Sequence, residues 1–107
     1  MPKLILTFKG KPVSVHPLKK GTTTIGRHSS NDIVIEDIAV SGLHAHMDYQ
    51  GQEILLTDLE SKNGTYLAGQ RITHAVLQHN DEITFGKHMI RLEAPKNNAQ
   101  NPPIDEP

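Results

Sequence analysis

The chain has 107 residues, no cysteine, 11 Lys and Arg against 12 Asp and Glu, and a formal net charge of -1. That length suits one domain with a single core, and the charge balance argues against nucleic acid as the main partner, because backbone affinity needs a surplus of cations. Without cysteine there is no disulfide framework, zinc–thiolate site or thiol nucleophile.

The start, MPKLILTFKG, carries an apolar run of only three residues before it begins to alternate, which is not a signal peptide. No apolar run approaches the ~20 residues of a membrane span, so no membrane span and a cytoplasmic location are expected. Leu4, Leu6 and Phe8 alternate with Ile5 and Thr7, and Val13 and Val15 repeat the pattern after Gly10. Further β-rich segments follow: TTTIG (22–26), DIVIE (32–36), HAHMDY (44–49), EILLTD (53–58), TYLAG (65–69), DEITF (81–85) and HMIRLE (88–93). Turn residues separate them at 10–11, 50–52, 61–64, 68–70, 78–81 and 86–87. Short strands punctuated in this way predict an all-β sandwich or barrel. Helical periodicity over three turns is missing throughout.

From Ala94 the text is APKNNAQNPPIDEP, with one large apolar residue, Ile104. Such a composition cannot bury enough surface to offset its ordering entropy. The expected division is a sandwich domain over 1–94 and a disordered tail or linker over 95–107, which as a linker would join the module to further domains.

The stretch VSGLHAH (40–46) poses the functional question, because a serine and two histidines could form a nucleophile and base, metal ligands or a binding loop. Period-two alternation puts Ala45, Met47 and Tyr49 on the core side of the strand. His44 and His46 therefore point outward or into the loop at the strand's start. A serine nucleophile needs a base, an orienting acid and an oxyanion hole, and no GxSxG elbow surrounds Ser41. His44, His46 and Asp48 share a strand face, but no fourth metal ligand is identifiable. No catalytic residue, metal or cofactor is expected.

Three loops suit binding instead: GRHSSND (26–32), VSGLH (40–44) and SKNGT (61–65). A sandwich can gather them at one end. Together they offer a guanidinium, an ammonium, a hydroxyl, an amide and glycine-freed N–H groups, an inventory fit for a dianionic phosphate.

In order along the chain stand Gly26-Arg27, NDIVI (31–35), Ser41-x-x-His44, DLESKNGTYLAG (58–69) and DEITFG (81–86). With this order and spacing the chain, over roughly Thr22 to Leu92, resembles a forkhead-associated (FHA) domain, the phosphothreonine-recognition module, which implies an all-β sandwich of two antiparallel sheets with the functional loops at one end. The resemblance implies that Arg27 and Ser41 contact the phosphate and that Asn63 holds the backbone of an extended peptide. It makes Gly26, His44 and Gly64 supports of the site, with His44 bracing the loop of Ser41. Two positions depart from the family's habit. Gly42 stands where Arg or Asn is frequent, leaving only its N–H to offer. Lys62 stands where Thr is frequent, and its ammonium is expected to replace that contact. The partner implied is a phosphothreonine-bearing protein, or a threonine elsewhere in the same polypeptide, modified by an upstream Ser/Thr kinase. The alternative on the same fold is a phosphate-independent interaction module.

Overall fold

Alternating burial builds both layers of the molecule. In a computed structural model describing residues 2–95, every segment read as a strand contributes one, and there is no helix among the described residues. The segment expected to be a tail lies, apart from Pro95, outside the described residues.

One sheet has six strands in the order β2 (Lys11–Pro17), β1 (Lys3–Phe8), β11 (His88–Glu93), β10 (Glu82–Phe85), β7 (Thr65–Leu67) and β8 (Gln70–Ile72). The other has five, in the order β4 (Ile33–Val34), β3 (Gly21–Gly26), β5 (Ala45–Gln50), β6 (Glu53–Asp58) and β9 (His74–Val76). All strand pairs are antiparallel except β3 with β4. Leu4, Leu6, Ile83, Phe85, Ile90 and Leu92 from the first sheet meet Ile25, Ile33, Ala45, Met47, Ile54 and Leu56 from the second in one buried core. Leu18, Ile35, Val40 and Leu77 close it at the connections.

Two strands, β8 and β9, extend the sequence reading. Each has three residues, with exposed positions in the majority, so neither displays an apolar alternation to be read. DIVIE is shorter as a strand than its text suggests. Asp32 turns to bond Thr24, its Oδ2 accepting from the Thr24 N–H at 2.8 Å, and ladder pairing covers only Ile33 and Val34.

Tight hairpins set the rim. The β1–β2 turn puts Lys9 and Gly10 both at positive φ, 53° and 80°, a geometry whose twist matches the flanking strands. At the same end, Asp37 locks the connection after β4 to the β10–β11 hairpin. Its carboxylate accepts from the N–H groups of Lys87 (2.8 Å) and Ala39 (2.9 Å) and pairs with His88 Nδ1 (3.1 Å). Burial alone would raise its pKa, but the hydrogen bonds from Lys87, Ala39 and His88 outweigh that and hold it below the ordinary aspartate value.

A group depressed in the folded state stabilises above its unfolded pKa and loses that contribution as pH falls through the folded one. Thermal unfolding of the domain should therefore be level near neutrality and drop in acid below about pH 4. Asp37→Asn should cost about 1–3 kcal/mol at pH 7 and flatten part of that acid decline. An unchanged acid limb in the variant would dissociate Asp37 from it.

Candidate functional site

Three connections meet at this rim because each is tied to the next through backbone groups. The 27–32 connection docks on the 36–44 connection: Arg27 N–H donates to Ser41 O at 2.9 Å and His28 N–H to Gly42 O at 3.1 Å. Asn31, buried, donates from Nδ2 to both His28 O (2.8 Å) and Gly42 O (2.7 Å). The 59–64 connection joins in turn, with Lys62 N–H donating to Ser41 Oγ at 3.0 Å and Asn63 Nδ2 to Ala39 O at 2.8 Å.

Gly26 is fixed by close approach. A Cβ there would overlap the Gly42 carbonyl and lie 2.8 Å from Asn31 Nδ2. Gly64 has a φ of 91°, and a Cβ there would stand 2.7 Å from Arg71 Nε. The 58–65 segment is wound around Asp58, whose carboxylate accepts from Ser61 N–H (3.1 Å), Ser61 Oγ (2.5 Å) and Thr65 Oγ1 (2.7 Å), while Ser61 Oγ accepts from Gly64 N–H (3.0 Å). Burial raises the Asp58 pKa, but the hydrogen bonds from Ser61 and Thr65 outweigh it and bring it below its ordinary value.

His44 lies beneath the junction with 0% exposure. Its Nδ1 must be an acceptor, because it faces the Ser41 N–H at 3.0 Å, and a backbone amide can only donate. The ring proton therefore sits on Nε2, which donates to Gly64 O at 2.9 Å. With both nitrogens engaged and no access to solvent, His44 is unavailable as a base or a metal ligand. Its link to Ser41 runs through the backbone amide and not the hydroxyl, so the nucleophile–base reading fails on geometry. His46 instead stands beside Asp48, with Nδ1 3.2 Å from Oδ2, on the outer face of the second sheet. No group of three or more potential ligands that could hold a metal ion is found among the described residues.

The outward groups are what remain. Arg27 is exposed, and its Nε donates to Val40 O at 3.0 Å, which fixes the guanidinium beside the Ser41 loop and leaves its terminal nitrogens unused among the described residues. Ser41 Oγ accepts from Lys62 N–H, so its own hydrogen is free to donate. The Gly42 N–H has no partner among the described residues, although its carbonyl has two. The Lys62 side chain is exposed. One N–H group of the Asn63 side chain clasps Ala39 O. Its amide oxygen and second N–H stay uncommitted among the described residues.

Sequence reading missed Asn31, Asp37 and Asp58 as the braces of this rim. The NDIVI text contained Asn31, but its bond to Gly42 spans eleven positions and has no local signal. Asp58 and Ser61, three residues apart, do form a local turn pattern that could have been noticed.

The sequence profile of the FHA domain matches residues 23–86. Over 80 residues the chain is 39% identical to the glycogen accumulation regulator GarA of Mycolicibacterium smegmatis, covering 74% of this chain and 51% of that protein. It thus spans about half the length of the curated relatives it matches. An FHA domain characterised for phosphothreonine-dependent interactions superposes with a TM-score of 0.81 at 28% identity, covering 88% of this chain and 96% of that one. The FhaA FHA domain, solved with the intracellular domain of another protein, superposes with a TM-score of 0.80 at 28% identity, covering 87% and 100%.

The glycines at 26 and 42 separate backbone approach from ligand contact. Gly26→Ala should destabilise the domain by about 1–3 kcal/mol through overpacking. Gly42→Ala should change stability by less than about 0.5 kcal/mol, because the nearest atom to its Cβ would be 4.0 Å away. Urea denaturation of the two variants checks the ranking, and equal stabilities would contradict the close approach described.

Proposed function

The chain belongs to the FHA family of phosphothreonine-binding modules, and from that premise we propose that its three-loop rim binds a phosphothreonine-bearing segment through Arg27, Ser41, Gly42, Lys62 and Asn63. It is a binding module and not an enzyme. The observation that carries the reading is the Arg27 guanidinium, held by Val40 O beside a serine whose hydroxyl hydrogen is left to donate.

Each group has a distinct part. Arg27 supplies the four N–H groups of its two terminal nitrogens in a planar fork, which matches two phosphate oxygens better than a point charge would. Ser41 and the Gly42 N–H take further oxygens, and the Lys62 ammonium adds charge over the dianion. Asn63 offers its remaining amide groups to the peptide backbone while staying anchored to Ala39. Gly26, His44 and Gly64 act from below, fixing the spacing of the loops. Recognition of threonine over serine would come from the γ-methyl settling in a small depression, worth ~0.8 kcal/mol by area.

Hydrogen bonds to charged groups contribute about 1.5–3 kcal/mol each. Three or four give roughly 5–10 kcal/mol before the cost of ordering a flexible peptide; a net of about 6–8 kcal/mol is a Kd from micromolar to tens of micromolar. The phosphothreonine would be written by a Ser/Thr kinase, on a separate protein or within a longer form of this polypeptide. A relative named as a regulator and a neighbour solved with another protein's intracellular domain support a regulatory docking role.

Isothermal titration with a phosphothreonine peptide selected from an oriented library, and with its unphosphorylated twin, tests the reading. Binding should require the phosphate and weaken at least about tenfold in Arg27→Ala, the loss of one charge-assisted pair. The same variant should lose only about 0.5–1.5 kcal/mol of stability, for its bond to Val40 O. Equal affinity for the two peptides would favour the phosphate-independent alternative, to which Gly42 and Lys62 lend themselves. An Arg27→Ala protein that binds normally would displace the phosphate site.

A further inference from the structure

We propose that the rim carries a second, cationic subsite, formed by Lys9, Lys11 and Lys87 on two neighbouring hairpins, which engages anionic side chains flanking the phosphothreonine. The inference rests on the phosphothreonine reading above and extends it to the partner's sequence.

An unbroken set of contacts runs from the phosphate loops to these lysines. Asn63 bonds Ala39 O, and Asp37, two residues before Ala39, takes the Lys87 N–H and the His88 ring. A Cβ on Gly86 would lie 3.1 Å from Ala39 Cβ, so the β10–β11 turn sits against the Ala39 loop. His88 then stacks on Phe8 with ring centroids 4.7 Å apart. Phe8 pairs across the first hairpin with Lys11, and Lys9 Nζ stands 5.4 Å over the Phe8 ring. The three lysines thus lie at the two hairpin turns that continue from the Ala39 loop, with Lys9 over the Phe8 ring.

Their charges are uncompensated. All three residues are exposed, and none pairs with a carboxylate among the described residues, whereas Lys3 and Arg91 both pair with Glu93. Asp37 is the carboxylate in direct contact with this hairpin, and it is buried and fully engaged by two backbone N–H groups and His88. The exposed carboxylates on the adjoining loops, Glu36 and Glu60, form no ion pair with the lysines. Lys9 also occupies a left-handed backbone position, φ 53°, which disfavours a long L-residue by roughly 1–2 kcal/mol. Asn or Gly would fill that turn with less strain, and what lysine adds there is an ammonium at the rim. A phosphate already seated at Arg27 and Ser41 would hold a peptide in reach of this row, so the field of the lysines selects carboxylates or a second phosphate at nearby positions.

The test uses phosphothreonine peptides in an alanine background with one glutamate, or one phosphoserine, moved through each position on either side. Each is titrated into the native protein and into Lys9→Asn/Lys11→Gln/Lys87→Gln. Glutamate on one side of the phosphothreonine should raise affinity about two- to fivefold, phosphoserine at the same position more because of its larger charge, and both gains should shrink with salt. The triple variant should lose the gains while binding the alanine-background peptide as the native protein does, and its melting temperature should not fall. Absence of a gain at every position, a gain that survives in the variant, or equal weakening of neutral and acidic peptides would each overturn the subsite. If the phosphothreonine itself made no difference in either protein, the underlying phosphate reading would have failed instead.

Discussion

A buried imidazole holds two loops at a fixed separation. His44 accepts the Ser41 N–H on one nitrogen and donates to the Gly64 carbonyl from the other. Its ring packs edge-on against Phe85, with centroids 5.2 Å apart, so the core of the sandwich dictates where the ring lies. The outward groups at 41, 62 and 63 follow from this contact, whereas Arg27 is set by its own bond to Val40 O. Ser41 follows because its amide is gripped, Lys62 because its N–H rests on Ser41 Oγ, and Asn63 because it precedes the gripped Gly64. An apolar replacement would strand a donor and an acceptor, at about 1–3 kcal/mol for each buried group left unpaired.

The rim also sorts charge by burial. Asp37 and Asp58 face inward, where backbone N–H groups and hydroxyls satisfy them and hold their pKa values down. Arg27 and Lys62 remain exposed. A chain with a net charge of only -1 can thereby present a locally positive edge, since acids consumed as loop braces contribute less to the surface field than solvent-facing cations do. The same carboxylates shape short loops that glycines at 26 and 64 allow to approach closely.

Period-two alternation made the long strands legible, because β1, β6, β10 and β11 each bury two apolar residues at alternate positions. It was silent about β8 and β9, three-residue segments that carry few buried side chains. Residues with motif neighbours, such as Arg27, Ser41 and His44, could be read from order and spacing. Asn31 and Asp37 could not be read as braces, because the bonds that define them reach eleven and fifty positions along the chain. Asn63 was legible as a candidate, but its clasp on Ala39 O was not, since that bond depends on the path of a different loop. Local text records what a residue can donate or accept, and only the folded loops decide to whom.

The central claim is that a prebuilt edge of the sandwich, rather than its sheet faces or far end, receives the phosphorylated segment. Amide chemical-shift mapping with a phosphothreonine peptide tests it most directly. The account predicts shifts concentrated at 26–31, 41–43 and 61–64, with none of that pattern from the unphosphorylated peptide. Perturbations centred on the opposite loops, or identical maps from both peptides, would contradict it.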